Sequence, residues 1–136
     1  MASLSAVRTA LFDRLEAFDL PEGMEVAWPE APETFKPPPG PHLEAMLLVN
    51  APRFEGMALS DGVLDQGLLQ VTVVWPKNQG LDEPLKVADA VRAHFAAQQS
   101  LFGAGVKVKI TGQPWIASPL REPSEVRVPV TIPWTA

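Results

Sequence analysis

The first apolar residues of the chain recur at spacings of three and four, and most charged residues fall between them. The recurring residues are Leu4, Val7, Leu11, Leu15 and Phe18. This pattern predicts an amphipathic helix over residues 3–18. Ser3 or Ser5 can cap its first turn through a side-chain oxygen, and Pro21 with Gly23 ends it.

Alternating apolar and polar positions predict strands in the next part of the chain, beginning with a short one at 24–28. Residues 42–50 present one fully apolar face. Residues 67–75 are apolar at nearly every position, which is typical of a central strand covered on both sides. Residues 51–66 are too long for a tight turn, so we expect a long loop between these two strands.

A second apolar stripe with helical spacing follows position 82. Asp82 or Glu83 can cap this helix, and Pro84 fits its first turn, where a missing N–H costs nothing. The pattern places the end of the helix near Gln99, before two glycines.

Two further strands are predicted in the last third of the chain, at 106–110 and 126–134. In the second of these, Pro129 and Pro133 have the same parity, so both remove an N–H donor from the same side of the strand. We therefore expect that side to be a sheet edge.

Together these elements predict an α+β fold, with a mostly antiparallel sheet of about five strands and two main helices packed on it. No repeat interrupts the order, so we expect one domain over residues 1–136. A proline-rich arm at 29–41 holds six of the fifteen prolines, which excludes both helix and paired strand there. Phe35 stands alone in this stiff arm, with no local apolar pattern to bury it.

Composition and charge exclude several classes of protein. Eleven basic residues against sixteen acidic ones give a net charge of −5, and the basic residues are scattered, which argues against a nucleic-acid grip. The absence of cysteine excludes disulfides and cysteine-based metal sites. No stretch approaches the roughly 20 apolar residues of a membrane span, so we expect a soluble protein without an export signal.

The residues that could carry chemistry do not form a recognisable site. They are His42, His94, Asp61, Asp65, Asp82 and Glu83. Neither histidine has a metal-ligand partner at helical spacing. Asp61 and Asp65 lack the residue spacing of a calcium-binding loop. Asp82 and Glu83 suit the start of a helix better than acid–base catalysis. We predict no catalytic, cofactor-binding or metal-binding residue and no enzymatic activity. An enzyme would require a polar cluster that one sequence does not reveal.

Several glycine, proline and aliphatic patterns resemble the tail terminator proteins of long-tailed bacteriophages, including lambda-type and prophage tail completion proteins. The resemblance covers most of the chain. Its patterns are Phe35-Lys36-Pro37-Pro38 with Gly40-Pro41, residues 67–73 with Pro76 and Gly80, Ala88-Asp89 with Phe95, and residues 128–133. The chain differs from relatives at His42, where an aromatic residue often follows the Gly-Pro pair.

The resemblance implies a structural virion protein that caps the completed tail tube as a ring, expected to be a hexamer, and provides the head-joining surface. Implied partners are other copies of the chain, the tail tube protein and a head-completion or connector protein, with DNA only as passing cargo. No cofactor and no membrane are implied, and the expected location is the virion tail, after assembly in the bacterial host cytoplasm. A small head–tail connector or other non-enzymatic adaptor is the alternative.

The residues that we expect at the subunit interface lie in the arm and in the long loop. They are Phe35, Pro37, Pro38, Pro39, His42, Phe54, Met57 and Leu59. A proline-stiffened arm loses less entropy on docking than a flexible one, which suits contact with a neighbour. The acidic net charge suits a channel wall along which DNA slides without sticking.

Overall fold

The computed structural model describes residues 3–21, 24–28, 40–54, 63–103 and 105–136. Within these ranges the chain forms two helices and eight strands. In order they are α1 (Leu4–Glu16), β1 (Glu25–Ala27), β2 (His42–Phe54), β3 (Val63–Pro76), α2 (Asp82–His94), β4 (Ser100–Gly103), β5 (Val106–Ile110), β6 (Trp115–Ile116), β7 (Leu120–Arg121) and β8 (Glu125–Thr135). The α+β class is therefore confirmed.

The strands form one mixed sheet in the order β1-β2-β3-β8-β5-β4, with β6 and β7 also paired to β8. β1 runs parallel to β2, and the other pairs are antiparallel. The predicted sheet of about five strands is thus matched only roughly. The additional strands β4, β6 and β7 contain four, two and two residues, which is too short for an alternating pattern to identify them.

The prediction that one side of β8 is a sheet edge is wrong. β8 pairs with β3 on one side and with β5, β6 and β7 in succession on the other. The two prolines lie where that second side is interrupted, between the rungs that β8 forms with β5, β6 and β7. Their carbonyls still accept hydrogen bonds, from the Thr111 N–H to Pro133 and from the Ala117 N–H to Pro129. The missing donors therefore mark broken pairing rather than an open edge.

The long strands extend beyond their predicted ends. β2 continues to Phe54 and β3 begins at Val63, so strand residues occupy both ends of the loop expected at 51–66. A register shift between Asn50 and Arg53 accommodates the extra length of β2. Residues 55–62, and residues 29–39 of the arm expected at 29–41, lie outside the described residues.

Both helices differ from prediction at one end. α1 begins after Ser3, whose side chain accepts the Ala6 N–H, so Ser3 rather than Ser5 is the cap. α2 has Leu81 at its cap position without a side-chain hydrogen bond, and it ends at His94 instead of near Gln99. The helix ends early because the chain turns back and Ser100 begins to pair with β5.

Both helices pack on the same face of the sheet. The core combines the apolar stripes of α1 and α2 with alternate residues of the central strands; its largest fully buried members include Trp134, Phe95, Leu11, Leu15, Leu43, Leu69, Ile110 and Ile132. We call this the helix-covered face. The residues of opposite parity form the outer face, which neither helix covers.

Candidate assembly surfaces

An ion cluster ties β2 to β8 on the outer face, across the intervening strand β3. Arg127 contacts Glu44 (Nη2 to Oε1, 2.8 Å) and Glu125 (Nη1 to Oε2, 2.6 Å). Burial raises the pKa of the Glu44 carboxyl, but hydrogen bonds from Arg127 and His42 outweigh it and leave the pKa below its ordinary value of 4.5. The hydrogen bond to Glu44 likewise raises the pKa of Arg127, against the effect of burial. The cluster stabilises the pairing of three strands.

His42 belongs to the same cluster. Its ring is only 4% exposed, with Nδ1 3.0 Å from the Gly40 carbonyl oxygen and Nε2 3.0 Å from Glu44 Oε2. Both ring nitrogens are thus occupied within the chain. His42 thus anchors the start of β2.

The other predicted interface residues are not brought together by the described part of the chain. Phe54 is the last residue of β2. The others, Phe35, Pro37, Pro38, Pro39, Met57 and Leu59, lie outside the described residues. An interface role for this set stays a prediction.

The outer face exposes apolar side chains that sequence patterns did not single out. Met46 is 53% exposed, and Leu48, Trp115 and Leu120 are also exposed. The register places all four on the outer face, since Met46 pairs with Gln70 and Trp115 with Thr131. Scattered exposed apolar residues are normal, but several on one sheet face are typical of contact surfaces.

Among the described residues, the most exposed large apolar side chain is that of Phe102 on the edge strand β4, with 76% of its surface accessible. Its register partner on β5 is Lys107, and Lys109 lies two residues further on the same face, with both lysines exposed. We call these three residues the basic hairpin face. The sequence pattern does not predict β4, because four residues are too few to show alternation. Gly105, with φ +82°, is the turn residue that a hairpin of β4 and β5 needs, and it is the signal in the sequence that points to this hairpin.

A second surface lies between α1 and the residue that follows β1. The rings of Phe12 and Trp28 are 5.1 Å apart, and Arg8 lies 4.8 Å from the centre of the Phe12 ring. This groove has a volume of about 280 Å³ and is lined by Arg8, Thr9, Phe12, Asp13, Glu16 and Trp28. We call it the acidic groove, because two carboxylates against one guanidinium line an aromatic floor.

The described ranges contain neither a metal-binding cluster nor a membrane-spanning helix. No group of three or more histidine or acidic residues among them is placed to hold a metal ion. Neither α1 nor α2 has the length and apolar character needed to cross a bilayer.

Comparison with known proteins identifies the family. The model of a family described as phage tail terminator protein matches residues 6–134. The chain belongs to the phage tail terminator family. The resemblance predicted from the sequence is therefore confirmed over nearly the whole length of this tail terminator.

The fold itself is found among solved structures. Five chains of known structure match, and one of them superposes on this tail terminator with a TM-score of 0.78 at 25% sequence identity. That alignment covers 99% of this chain and 96% of the other. No curated protein matches the chain.

Membership places the protein among structural components of phage tails. A virion tail location and contacts with other tail or head proteins follow from the family.

Proposed function

We propose that this tail terminator forms a ring that caps the completed tail tube and provides the surface to which the head joins. The family match over residues 6–134 is the observation that carries this proposal. The ring is a homohexamer assembled in the bacterial host cytoplasm. Its partners are further copies of the chain, the tail tube protein and a head-completion or connector protein.

The work of this ring is assembly and not catalysis. DNA passes through its lumen as cargo, and a net charge of −5 disfavours retention of the DNA phosphates. The predicted arm residues Phe35 and 37–39, together with His42, Phe54, Met57 and Leu59, are proposed contacts between subunits or with the tail tube.

The decisive experiment removes the gene from its phage or prophage and examines the particles by electron microscopy. We expect tails of irregular length that carry no heads, and restoration of normal particles when the gene is supplied from a plasmid. Tails of normal length joined to heads in the absence of the protein would contradict the proposal.

A binding experiment separates this role from that of a head–tail connector. The purified protein is mixed with tail tubes and imaged. A tail terminator gives six-fold rings at one end of the tube, whereas a connector binds portal-side proteins and leaves the tubes bare.

A further inference from the structure

We propose that neighbouring copies in the ring join head to tail, with the basic hairpin face of one copy docked in the acidic groove of the next. In this contact Phe102 packs against the half-buried Trp28 beside the Arg8 side chain, and Lys107 and Lys109 face Asp13 and Glu16. The inference rests on the proposed ring function and specifies the surfaces that build the ring.

On the hairpin side of the contact, the central residue is an aromatic side chain that is largely exposed to water. Phe102 has three-quarters of its surface in water, and burial of such a ring is among the larger favourable contributions available to an interface. The two lysines beside it have no ion-pair partner among the described residues. The basic hairpin face thus presents one aromatic anchor with two uncompensated positive charges.

The groove side has the complementary character. Trp28 is half-buried and forms the accessible aromatic part of the groove, whereas Phe12 is only 7% exposed and the Arg8 guanidinium lies 4.8 Å from the centre of its ring. The groove volume of about 280 Å³ accepts a side chain of the size of phenylalanine. Asp13 and Glu16 are exposed and have no ion pair with the residues that the structure describes. With Arg8 also in the lining, Asp13 and Glu16 leave the groove with a net charge of −1. This is opposite in sign to the two lysines of the hairpin, which favours correct orientation and fast association.

The two surfaces cannot meet within one molecule. α1 packs closely on the helix-covered face of β4, where the Ala10 Cα lies 3.1 Å from the position of a Cβ on Gly103. Leu101 is buried on that face, and Phe102, next along the strand, points to the opposite one. The acidic groove is lined by α1 residues, so in the proposed contact the Phe102 of another copy fills it.

A contact between two different surfaces of identical chains is heterologous. Each copy offers one basic hairpin face and one acidic groove, so the contact repeats from copy to copy and closes into a ring when the rotation permits. The same arrangement removes Lys107 and Lys109 from the lumen, in agreement with a channel that does not hold DNA.

The test uses charge reversal in the full-length chain, with assembly followed by sedimentation velocity and electron microscopy, alone and on tail tubes. We expect Phe102→Ser, the double variant K107E/K109E and the double variant D13K/E16K each to raise the protein concentration needed for half-assembly by about tenfold or more. Circular dichroism and denaturant unfolding check that each variant is folded.

A mixture of the two charge-reversal variants provides a stricter test than either variant alone. In an equal mixture of K107E/K109E with D13K/E16K, each hairpin meets a groove of opposite charge, so we expect rings with alternating variants to return. The control is K77E/R121E, which changes the net charge by the same amount on exposed residues outside both surfaces and leaves assembly unchanged.

The outcomes separate this inference from the proposed function. Rings that form normally from the Phe102→Ser and charge-reversal variants would overturn the interface alone. A wild-type chain that forms no ring, either alone or on tail tubes, would overturn both. Rings that depend on these residues, in a phage whose tails are normal without the protein, would support the interface and contradict the capping role.

Discussion

Gly67 on β3 lies directly opposite Trp134 on β8, and the indole occupies the space that a side chain at position 67 would need. A Cβ on Gly67 would lie 2.8 Å from Trp134 Cζ2 and would collide with the Leu48 carbonyl oxygen on β2. Trp134 is 1% exposed and is the largest fully buried side chain. The glycine in an otherwise aliphatic strand is therefore a packing requirement of the core.

The first prediction follows from this contact. Gly67→Ala forces either the indole or the β2 backbone to move, so we expect the free energy of unfolding to fall by about 1–3 kcal/mol or more. Denaturant unfolding measures the change. Gly112→Ala is the matched control, because a Cβ there meets only Pro133 Cγ at an ordinary 3.6 Å. Equal stability of the two variants would contradict the packing argument.

The second prediction concerns the ion cluster of Arg127. Arg127→Met leaves Glu44 and Glu125 half-buried beside each other without their shared cation, so we expect a loss of about 1–2 kcal/mol of stability after allowance for solvent screening. A double-mutant cycle with Glu44→Gln measures the coupling. Lys86→Met serves as the comparison, since Lys86 makes only exposed pairs with Asp82 and Glu83, and should change little.

The third prediction is a pH dependence that arises from His94. His94 Nε2 donates to the Arg14 carbonyl oxygen at 2.6 Å, and Arg14 Nη2 donates back to the His94 carbonyl oxygen at 2.8 Å, which links the ends of the two helices. Burial lowers the pKa of His94 below its ordinary value of 6.5, and the nearby Arg14 charge adds to this, although the hydrogen bond opposes it.

Protonation of His94 is less favourable in the folded protein than in the unfolded chain. The stability that depends on neutral His94 is therefore present above the ordinary pKa and is lost as the pH falls through the lowered pKa of the folded protein. We expect the free energy of unfolding to fall between about pH 7.5 and about pH 5.5, and the fall to be smaller in His94→Gln. Denaturant unfolding of the wild-type protein and of His94→Gln at both pH values measures the two falls. His42 is present in both proteins, so it does not account for a difference between them. An identical fall in both would exclude His94 as the source.

The fourth prediction tests the start of α1. Ser3→Ala removes the oxygen that accepts the Ala6 N–H, so we expect a loss of about 0.5–2 kcal/mol. Ser5 lies two residues after Ser3 and is also exposed, so Ser5→Ala is the control and should have a smaller effect. A larger loss from Ser5→Ala would reverse the assignment of the cap.

Local patterns identified the elements whose stability is mostly local or whose length is sufficient. The stripe of α1 and the alternation of β2, β3, β5 and β8 were recognisable, because side-chain periodicity follows directly from helix and strand geometry. The family was recognisable as well, since its glycine and proline positions fix particular backbone requirements, as Gly67 shows.

Short elements and strand order were not predictable in the same way. β4, β6 and β7 exist because β5 and β8 offer them hydrogen-bond partners, which are contacts between residues distant in the sequence. The sequence shows that Pro129 and Pro133 remove donors from the same side of β8, but the sheet edge predicted from them was wrong. Their location at interruptions inside the sheet, instead of at its edge, depends on which strands return to that side.

The sequence by itself determined the helices, the long strands, the absence of cysteine chemistry and the tail terminator family, because each rests on residue type and spacing along the chain. Only the tertiary structure decided that His42 is buried in an ion cluster and that Phe102 shares an exposed hairpin face with two lysines. Those relationships depend on sheet register and on which face the helices cover, and such nonlocal packing leaves no periodic trace in the sequence.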